Sequence, residues 1–533
     1  MKKRFTLLLI SIFTIFILAA CGNQEQSAGG AGDSNEPAGD PVEGGTLTIA
    51  YPSEPDTLDW MSTGATPTRD IAWHIFEPLL ALDNDYQVQP MIAEDFTVSD
   101  DETLYTITLR DDVKFHDGSD VTVDDVIASL DRWRTVSSVG KESDRFIESV
   151  TAVDDKTIEI QLTEVYNAFL SDMAAPKNAL MIIPEEIAEE AGEQPLTPEQ
   201  LIGTGPYQFD NWSRGSEIVL TKFEDYAARD ETDLGGLTGE KVAYFDELDF
   251  QIVKDPQVAI NGIKTDLYDY ALSIPNDLYD VVETDPSIDP VSYINGYSTI
   301  TPDKSEPPFD DIKVREALNL ALDKEAIAEA TYGNSDFYSF DGALFDPEQT
   351  KLYSEEGTEN YLNFDPEQAK ELLAESDYNG ESLKIMHSND SETYKRISQI
   401  MKQQLEEVGF TIEIVPLEWA TYLEQWSDPA NWDIVVVGWS TRFSPNELGM
   451  LVNDTNSSGW YDSESWRGLI DDWAVASDDE ARLDILSEMN ETVWEELPFI
   501  KVANETRLDI KGEQVQLEET WVGPRFWGAW KNQ

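Results

Sequence analysis

Side chains able to do covalent or metal chemistry are scarce in this sequence. In 533 residues there are three histidines, His74, His116 and His387, and one cysteine, Cys21. No two histidines stand at the His-x-x-x-His spacing that would place both around a zinc ion on one helix face. No Gly-x-Ser-x-Gly elbow raises a serine nucleophile, and no Gly-x-x-x-x-Gly-Lys loop cradles a phosphate. Ser138-Val139-Gly140-Lys141 fits the Ser-x-x-Lys of serine acyltransferases, but the companion Ser-Asp-Asn and Lys-Thr-Gly elements are missing. Carboxylates pose the opposite problem. With 106 Asp and Glu, no particular pair is marked out as the acid and nucleophile of a glycosidase. The pattern points away from an enzyme, with no metal and no cofactor expected. Aromatic surface, by contrast, is plentiful: eleven of the fifteen Trp lie between Trp419 and Trp530, where indoles serve as core or as ligand wall.

Composition narrows the partners. At roughly 150 residues per domain the chain has room for three or four compact units, and 41% hydrophobic residues with 11% aromatic ones are ample for a core. The 106 acids against 36 Lys and Arg leave an excess of 70 negative charges, which excludes nucleic acid and an anionic membrane surface as electrostatic partners. The acids are spread along the chain and not gathered in a tail, so they read as a solvated surface suited to brine. At about 1 M salt the Debye length shrinks to about 3 Å and screens their mutual repulsion.

The N-terminus carries an address. Lys2, Lys3 and Arg4 precede an apolar run from Phe5 to Ala20, shorter than the roughly 20 residues of a spanning helix and built like a secretory signal. It ends Leu18-Ala19-Ala20-Cys21, which resembles the lipobox of bacterial lipoproteins. That resemblance implies cleavage of residues 1–20, a diacylglyceride on the Cys21 thiol, and an extracytoplasmic chain anchored to the lipid bilayer of the cell membrane. With Cys21 alone, no disulfide can form within the chain. Residues 21–45 hold seven Gly, five acids and no base, the composition of a flexible tether.

Beyond the tether the periodicities alternate between strand and helix. Thr46-Leu47-Thr48-Ile49-Ala50-Tyr51 alternates as a half-buried strand, as do Leu104–Leu109, Thr157–Leu162 and Ser216–Phe223. Thr122 and Asp125 form a capping box ahead of a helix that carries Val126, Ile127, Leu130 and Trp133 on one face. Val314, Leu318, Ala321 and Leu322 make a second helical stripe, and Asp365-Pro366-Glu367 opens a third helix with Leu372 and Leu373 inward. From Leu383 to Gly438 the order is strand, helix closed by Gly409, strand, short helix Trp419–Trp426, and an apolar strand. This is the β-α-β crossover of a parallel or mixed sheet, which places ligands beside the carboxyl ends of its strands.

Several stretches match one family. Leu109-Arg110-Asp111-Asp112-Val113-Lys114-Phe115-His116-Asp117-Gly118 and Val121-Thr122-Val123-Asp124-Asp125-Val126 resemble the signature of the bacterial extracellular solute-binding proteins of the peptide and nickel class, family 5. Ile75-Phe76-Glu77-Pro78-Leu79, Gly203-Thr204-Gly205-Pro206-Tyr207, Pro308-Phe309-Asp310-Asp311 and Val314-Arg315-Glu316-Ala317-Leu318 resemble further landmarks of the same family, in order. The resemblance implies an α/β, two-lobed periplasmic-binding-protein-like fold of type II with an additional inserted domain. Residues 46–76 with 205–300 and 500–533 would form the base domain of lobe 1, 77–204 the inserted domain, and 301–499 lobe 2. The implied function is the substrate-binding subunit of an ABC uptake transporter, delivering oligopeptides or dipeptides to membrane permease subunits. The alternative is the same fold holding a chelated metal, an oligosaccharide or another carboxylate, or acting as a surface sensor.

The resemblance also suggests site residues. Trp419 and Trp439 stand where peptide-binding relatives are alike around the ligand, and each follows a strand whose carboxyl end should face the cleft. Ser440 and Thr441 accompany them. Relatives that hold a peptide's terminal ammonium commonly carry Asp three residues after the second Trp, where this sequence has Arg442. A carboxylate about 4 Å from an ammonium gains up to about 4 kcal/mol at an effective dielectric of about 20, and a guanidinium there repels by a comparable amount. Arg442 could instead fork onto a ligand carboxylate, or pair with a local acid. On the other lobe, Tyr51 and His74 are candidates to face the cleft, with Tyr297 near a crossover between lobes. His116 is expected to be structural, and Thr301 stands where the family often has Asn.

Overall fold

The alternating strand Thr46–Tyr51 ends up in the middle of a sheet. In the computed structural model, which describes residues 41–532 apart from 233, 452–454, 477–478, 518–520 and 522, it lies between two parallel neighbours, Glu247–Ile252 and Tyr270–Ile274. The expected signal peptide, Cys21 and the tether up to residue 40 lie outside the described residues. Among the described residues the sheet has eleven strands. From one edge it runs Thr411–Leu417, Ser382–Ser388, Ile434–Trp439, Ile288–Pro302, Ile500–Gly512, Tyr270–Ile274, Thr46–Tyr51, Glu247–Ile252, Glu217–Lys222 and Tyr207–Ser213, with Tyr338–Ser339 pairing off this path.

The first three strands in this order are mutually parallel, as the crossover pattern predicts. Their connecting helix, Glu392–Val408, is capped by the Ser391 hydroxyl and ended by Gly409 in the left-handed conformation. It buries Ile397, Met401 and Leu405 in a core shared with Ile385, Ile434, Val314 and Leu318. Each such aliphatic side chain contributes about 1.5–3 kcal/mol on burial.

Two strands tie the sheet together. Ile288–Pro302 and Ile500–Gly512 are long and antiparallel, and they pair from Ile288↔Gly512 to Ile300↔Ile500, with register shifts between Ile294 and Thr299. The later part of Ile288–Pro302 also pairs with Ile434–Trp439, while Ile500–Gly512 also pairs with Tyr270–Ile274. The two strands therefore carry the chain from one half of the sheet into the other. Gly296 marks the irregular stretch at φ +95°, and a Cβ there would meet the Trp439 carbonyl oxygen at 1.8 Å. Glycine is required on both counts.

A four-stranded antiparallel sheet, Ala93–Val98, Leu104–Leu109, Thr157–Leu162 and Ile147–Ala152 in two hairpin-like pairs, packs with the helix Val123–Val136. The capping box is present as expected, and Val126, Leu130 and Trp133 are buried. Ile127 is only partly buried. The apolar cluster here is continuous with Leu47, Ile49 and Ile75 of the large sheet's side.

Three of the sequence landmarks meet in one place. The His116 amide donates to the Gly203 carbonyl at 2.9 Å, and a His116 ring nitrogen lies 3.0 Å from the Gly205 carbonyl oxygen. A Cβ on Gly205 would lie 2.4 Å from the His74 carbonyl oxygen. Glu77 accepts bonds from Thr204, Tyr226 and Lys241 in the same neighbourhood. The landmarks thus join the four-stranded sheet to the large one.

Candidate functional site

The strand Ile434–Trp439 delivers a loop, residues 440–447, to the junction between the halves. Trp439 is half-buried, and its indole N–H donates to the Thr299 hydroxyl at 2.9 Å. Trp439 leads to Trp426, Tyr422 and Trp419 through ring contacts of 6.2, 5.5 and 5.4 Å. Both predicted Trp thus stand at the carboxyl ends of parallel strands, with Trp439 packed inward and Trp419 45% exposed.

Arg442 is 4% exposed. One guanidinium nitrogen donates to the Ser440 hydroxyl at 2.9 Å, the group lies 5.6 Å from the Trp439 ring, and Nε has no partner. Among the described residues no carboxylate lies within 4 Å of it. Burial lowers its pKa, opposed by Glu447 and Tyr297, while Arg69 works in the same direction as burial. Glu447 spends one oxygen on the Phe443 amide at 2.8 Å and leaves the other without a partner. Burial raises its pKa against the pull of Arg442, Lys177 and Arg69.

Two further cations come from elsewhere in the chain. Lys177 lies along Gly64 and has no hydrogen bond or ion pair among the described residues. Burial brings its ammonium down to about 7, helped by Arg442 and Arg69 and opposed by Glu447. Arg69, in the helix Thr66–Ala72, is 5% exposed, lies 5.0 Å from the Trp73 ring and has an unpartnered Nε. Its nearest carboxylate is Asp70 at 3.6 Å.

A second group of residues flanks the loop. Thr441 donates to Asp346 at 3.1 Å. The other Asp346 oxygen lacks a partner, as does the buried Tyr297 hydroxyl. Lys501 sits 4.4 Å from the Tyr297 ring and donates to the Ala343 carbonyl at 2.7 Å, with burial holding its pKa down at about 8. Gln349 donates to the Arg442 carbonyl at 2.6 Å. It also lines a cavity of about 310 Å³ with Phe443, Tyr86, Asn167, Leu170 and Trp473, so both sides of the junction contribute.

Tyr51 and His74 lie deeper than expected. The Tyr51 hydroxyl donates to Asp70 at 3.0 Å, inside a buried network in which Arg507 reaches Asp509 at 2.8 Å and Asp70 at 3.4 Å. His74 is fully buried among Tyr207, Phe250, Phe526 and Trp527. Its Nε2 accepts the Phe526 amide at 3.0 Å and its Nδ1 faces the Ile71 carbonyl at 3.3 Å, so neither ring nitrogen is left for a solute. Burial takes its pKa down to about 3. Thr301, fully buried, shares a hydroxyl contact with Thr299 at 3.4 Å.

The structure thus gathers Trp439, Ser440, Thr441, Arg442 and Tyr297, and adds Arg69, Lys177, Asp346, Glu447 and Lys501, which sequence reasoning missed. One faint signal was available: in so acidic a chain, neither Lys177 nor Arg442 has an Asp or Glu within four residues. Among the described residues no cluster of His, Cys, Asp and Glu could hold a metal ion, and no helix is long and apolar enough to cross a membrane.

The model of the bacterial extracellular solute-binding proteins, family 5, middle region, matches residues 87–461. The chain belongs to this family. A probable peptide ABC transporter periplasmic-binding protein of Sinorhizobium fredii is 28% identical over 462 residues, covering 83% of this chain and 85% of the relative. A glutathione-binding protein of Escherichia coli is 25% identical over 498 residues, covering 90% and 92%. The oligopeptide-binding protein of Bacillus subtilis, solved with a nonapeptide, superposes with a TM-score of 0.78 at 20% identity over 92% of this chain and all of that one. The fold is therefore the two-lobed type II arrangement of this solute-binding family, with mixed α/β content as expected.

Proposed function

We propose that this chain is the substrate-binding subunit of an ABC uptake transporter, taking up peptides or peptide-like solutes outside the membrane and passing them unchanged to permease subunits. It performs no catalysis on them. The observation that carries the reading is the set of buried, unpartnered polar atoms around the Trp439–Glu447 loop: Tyr297 Oη, Arg442 Nε, one oxygen each of Asp346 and Glu447. Buried polar groups left unpaired are costly, and a bound solute supplies their partners. The family and the peptide- and glutathione-binding names of its relatives support a peptide-like solute.

In this reading residues 1–20 are the signal peptide, Cys21 carries the lipid, and residues 21–45 tether the domain to the cell membrane. The base domain comprises 46–76, 205–300 and 500–533, the inserted domain 77–204, and lobe 2 residues 301–499. Trp419, Trp439, Ser440, Thr441, Arg442 and Tyr297 line the solute site, with Tyr51 behind it. The acidic surface keeps the chain soluble in brine and away from nucleic acid.

Native mass spectrometry of the full chain, purified gently from cells grown on rich medium, tests this. Retained peptide masses are expected; one discrete non-peptide mass in their place would overturn the peptide assignment. Metabolic labelling with palmitate checks the anchor. Incorporation should disappear in Cys21→Ser, and equal labelling of both chains would remove Cys21 as the lipid site.

A further inference from the structure

The Trp439–Glu447 loop carries Arg442, and two cations from distant parts of the chain, Arg69 and Lys177, lie within electrostatic reach of it. Arg442 and Arg69 both act on the electrostatics of Lys177, and Arg69 acts on Arg442. One carboxylate, Glu447, acts on both Lys177 and Arg442, and one of its oxygens is already committed to the Phe443 amide. Arg69 has Asp70 at 3.6 Å, but Asp70 also accepts from Tyr51 and pairs with Arg507. Among the described residues Arg442, 4% exposed, has no ion pair, and Nε on both Arg442 and Arg69 is an orphaned donor. The buried Tyr297 hydroxyl, in electrostatic reach of Arg442, is a further polar group without a partner.

This is a concentration of unspent positive charge in a protein that carries 106 acids and 36 bases. Acids to neutralise Arg442 were abundant, yet none stands within ion-pair distance among the described residues. A buried cation lacking a counterion is costly unless something from outside completes it. An ammonium arriving at Arg442 meets three like charges, with Glu447 already bonded to the Phe443 amide and Asp346 already bonded to Thr441. A carboxylate meets a guanidinium able to bind it through two parallel N–H···O bonds, and a lysine beside it.

Resting on the solute-binding reading above, we infer that the solute presents a carboxylate to Arg442 and Lys177, with Arg69 reinforcing the field. The site then selects peptide-like molecules bearing an acid group. Arg442 and Lys177 are then its specificity-determining residues, and Trp439 supplies the flat wall beside them.

The test is titration calorimetry on the purified full chain with three probes of the same backbone or the same acid. These are trialanine amide, whose charge is a single ammonium, succinyl-trialanine amide, whose charge is a single carboxylate, and succinate itself. The succinyl peptide is expected to bind at least about tenfold more tightly than trialanine amide, and Arg442→Asp should reverse that order. Lys177→Gln should weaken the succinyl peptide several-fold, and serves as the second variant should Arg442→Asp, placed near Glu447, fold poorly. Melting curves of both variants report folding. Tighter or equal binding of trialanine amide by the wild type would overturn the inference and leave the peptide reading standing. Binding of succinate with neither peptide would support the carboxylate subsite and overturn the peptide reading. Failure of all three probes at millimolar concentration would overturn the inference.

Discussion

Around Arg507 the protein supplies acids in ion-pair contact, and around Arg442, among the described residues, it does not. Arg507 reaches Asp509 and Asp70, and Asp509 in turn accepts from Tyr270 at 3.0 Å and from the Ser273 amide at 2.7 Å. Arg442 has a hydroxyl, an indole face and an unpaired Nε. Both guanidinium groups are buried, at 9% and 4% exposure, so burial does not separate them. Nor does an orphaned donor, since Arg507 also leaves one guanidinium nitrogen unpartnered. Ion pairing does. A buried cation matched by the chain's own acids serves the fold, whereas one with no acid in contact waits for a partner from outside.

The sharpest way to break this comparison is to remove each arginine in turn. Arg507→Met should destabilise the chain by about 3–5 kcal/mol, because Asp509 and Asp70 lose their counter-charge inside the protein. A urea denaturation midpoint that barely moves would show that the network does not support the fold. Arg442→Met should do the opposite, leaving stability unchanged or raising it by up to about 2 kcal/mol, since an unpaired buried charge disappears. The same variant should lose about tenfold or more in affinity for a carboxylate-bearing peptide. Large destabilisation without loss of binding would reassign Arg442 to the fold.

A further effect is expected from pH. The Lys177 ammonium titrates at about 7 in the folded chain, against an ordinary value of 10.5. Above about 7 the unfolded chain therefore binds more protons than the folded one, so Lys177 makes the ligand-free protein gain stability as pH rises from about 7 toward 10.5. Affinity for a carboxylate should move the other way, falling as pH rises through about 7. Both trends should flatten in Lys177→Gln, measured by melting and by titration at several pH values. Identical profiles in the two proteins would remove Lys177 from the site. Smallest of all should be the difference between wild type and Arg442→Met in their response to salt. Raising salt to about 1 M should lift the melting temperature of both by a similar amount, because it screens the acidic surface far more than buried charges. A flat response would defeat the brine reading.

The parallel unit from Ser382 to Trp439 was legible because its signals are local. The apolar run at 434–437 is buried as such a run predicts, and Gly409 ends its helix where the pattern stops. The two long strands were not legible. In Ile500–Gly512 the polar residues Lys501, Asn504, Arg507 and Asp509 are buried alongside Val502, Leu508 and Ile510. Alternation in such a strand reads as one wet face, when in fact each face packs against protein and the charges are matched by Asp70 and Tyr270 from far along the chain. The site was half legible for the same reason. Trp439 and Arg442 could be placed by resemblance and by strand ends, while Lys177 and Arg69 join them only through the tertiary fold. His74 misled because an aromatic-flanked histidine looks the same in sequence whether it lines a cleft or fills a core.

The paired strands Ile288–Pro302 and Ile500–Gly512 have a mechanical consequence. They are hydrogen-bonded to each other along most of their length and run through the junction as one ribbon, not as two separate cords. A ribbon flexes readily across its face, but sliding one strand past the other in its plane breaks a ladder of bonds at once. Of the many ways two halves could move, bending where the register slips between Ile294 and Thr299 is the one left soft. Motion between the halves thus has close to a single degree of freedom. Each closure along it returns Tyr86 and Phe443, which meet across the junction, to the same ring contact, giving every captured molecule the same reproducible fit.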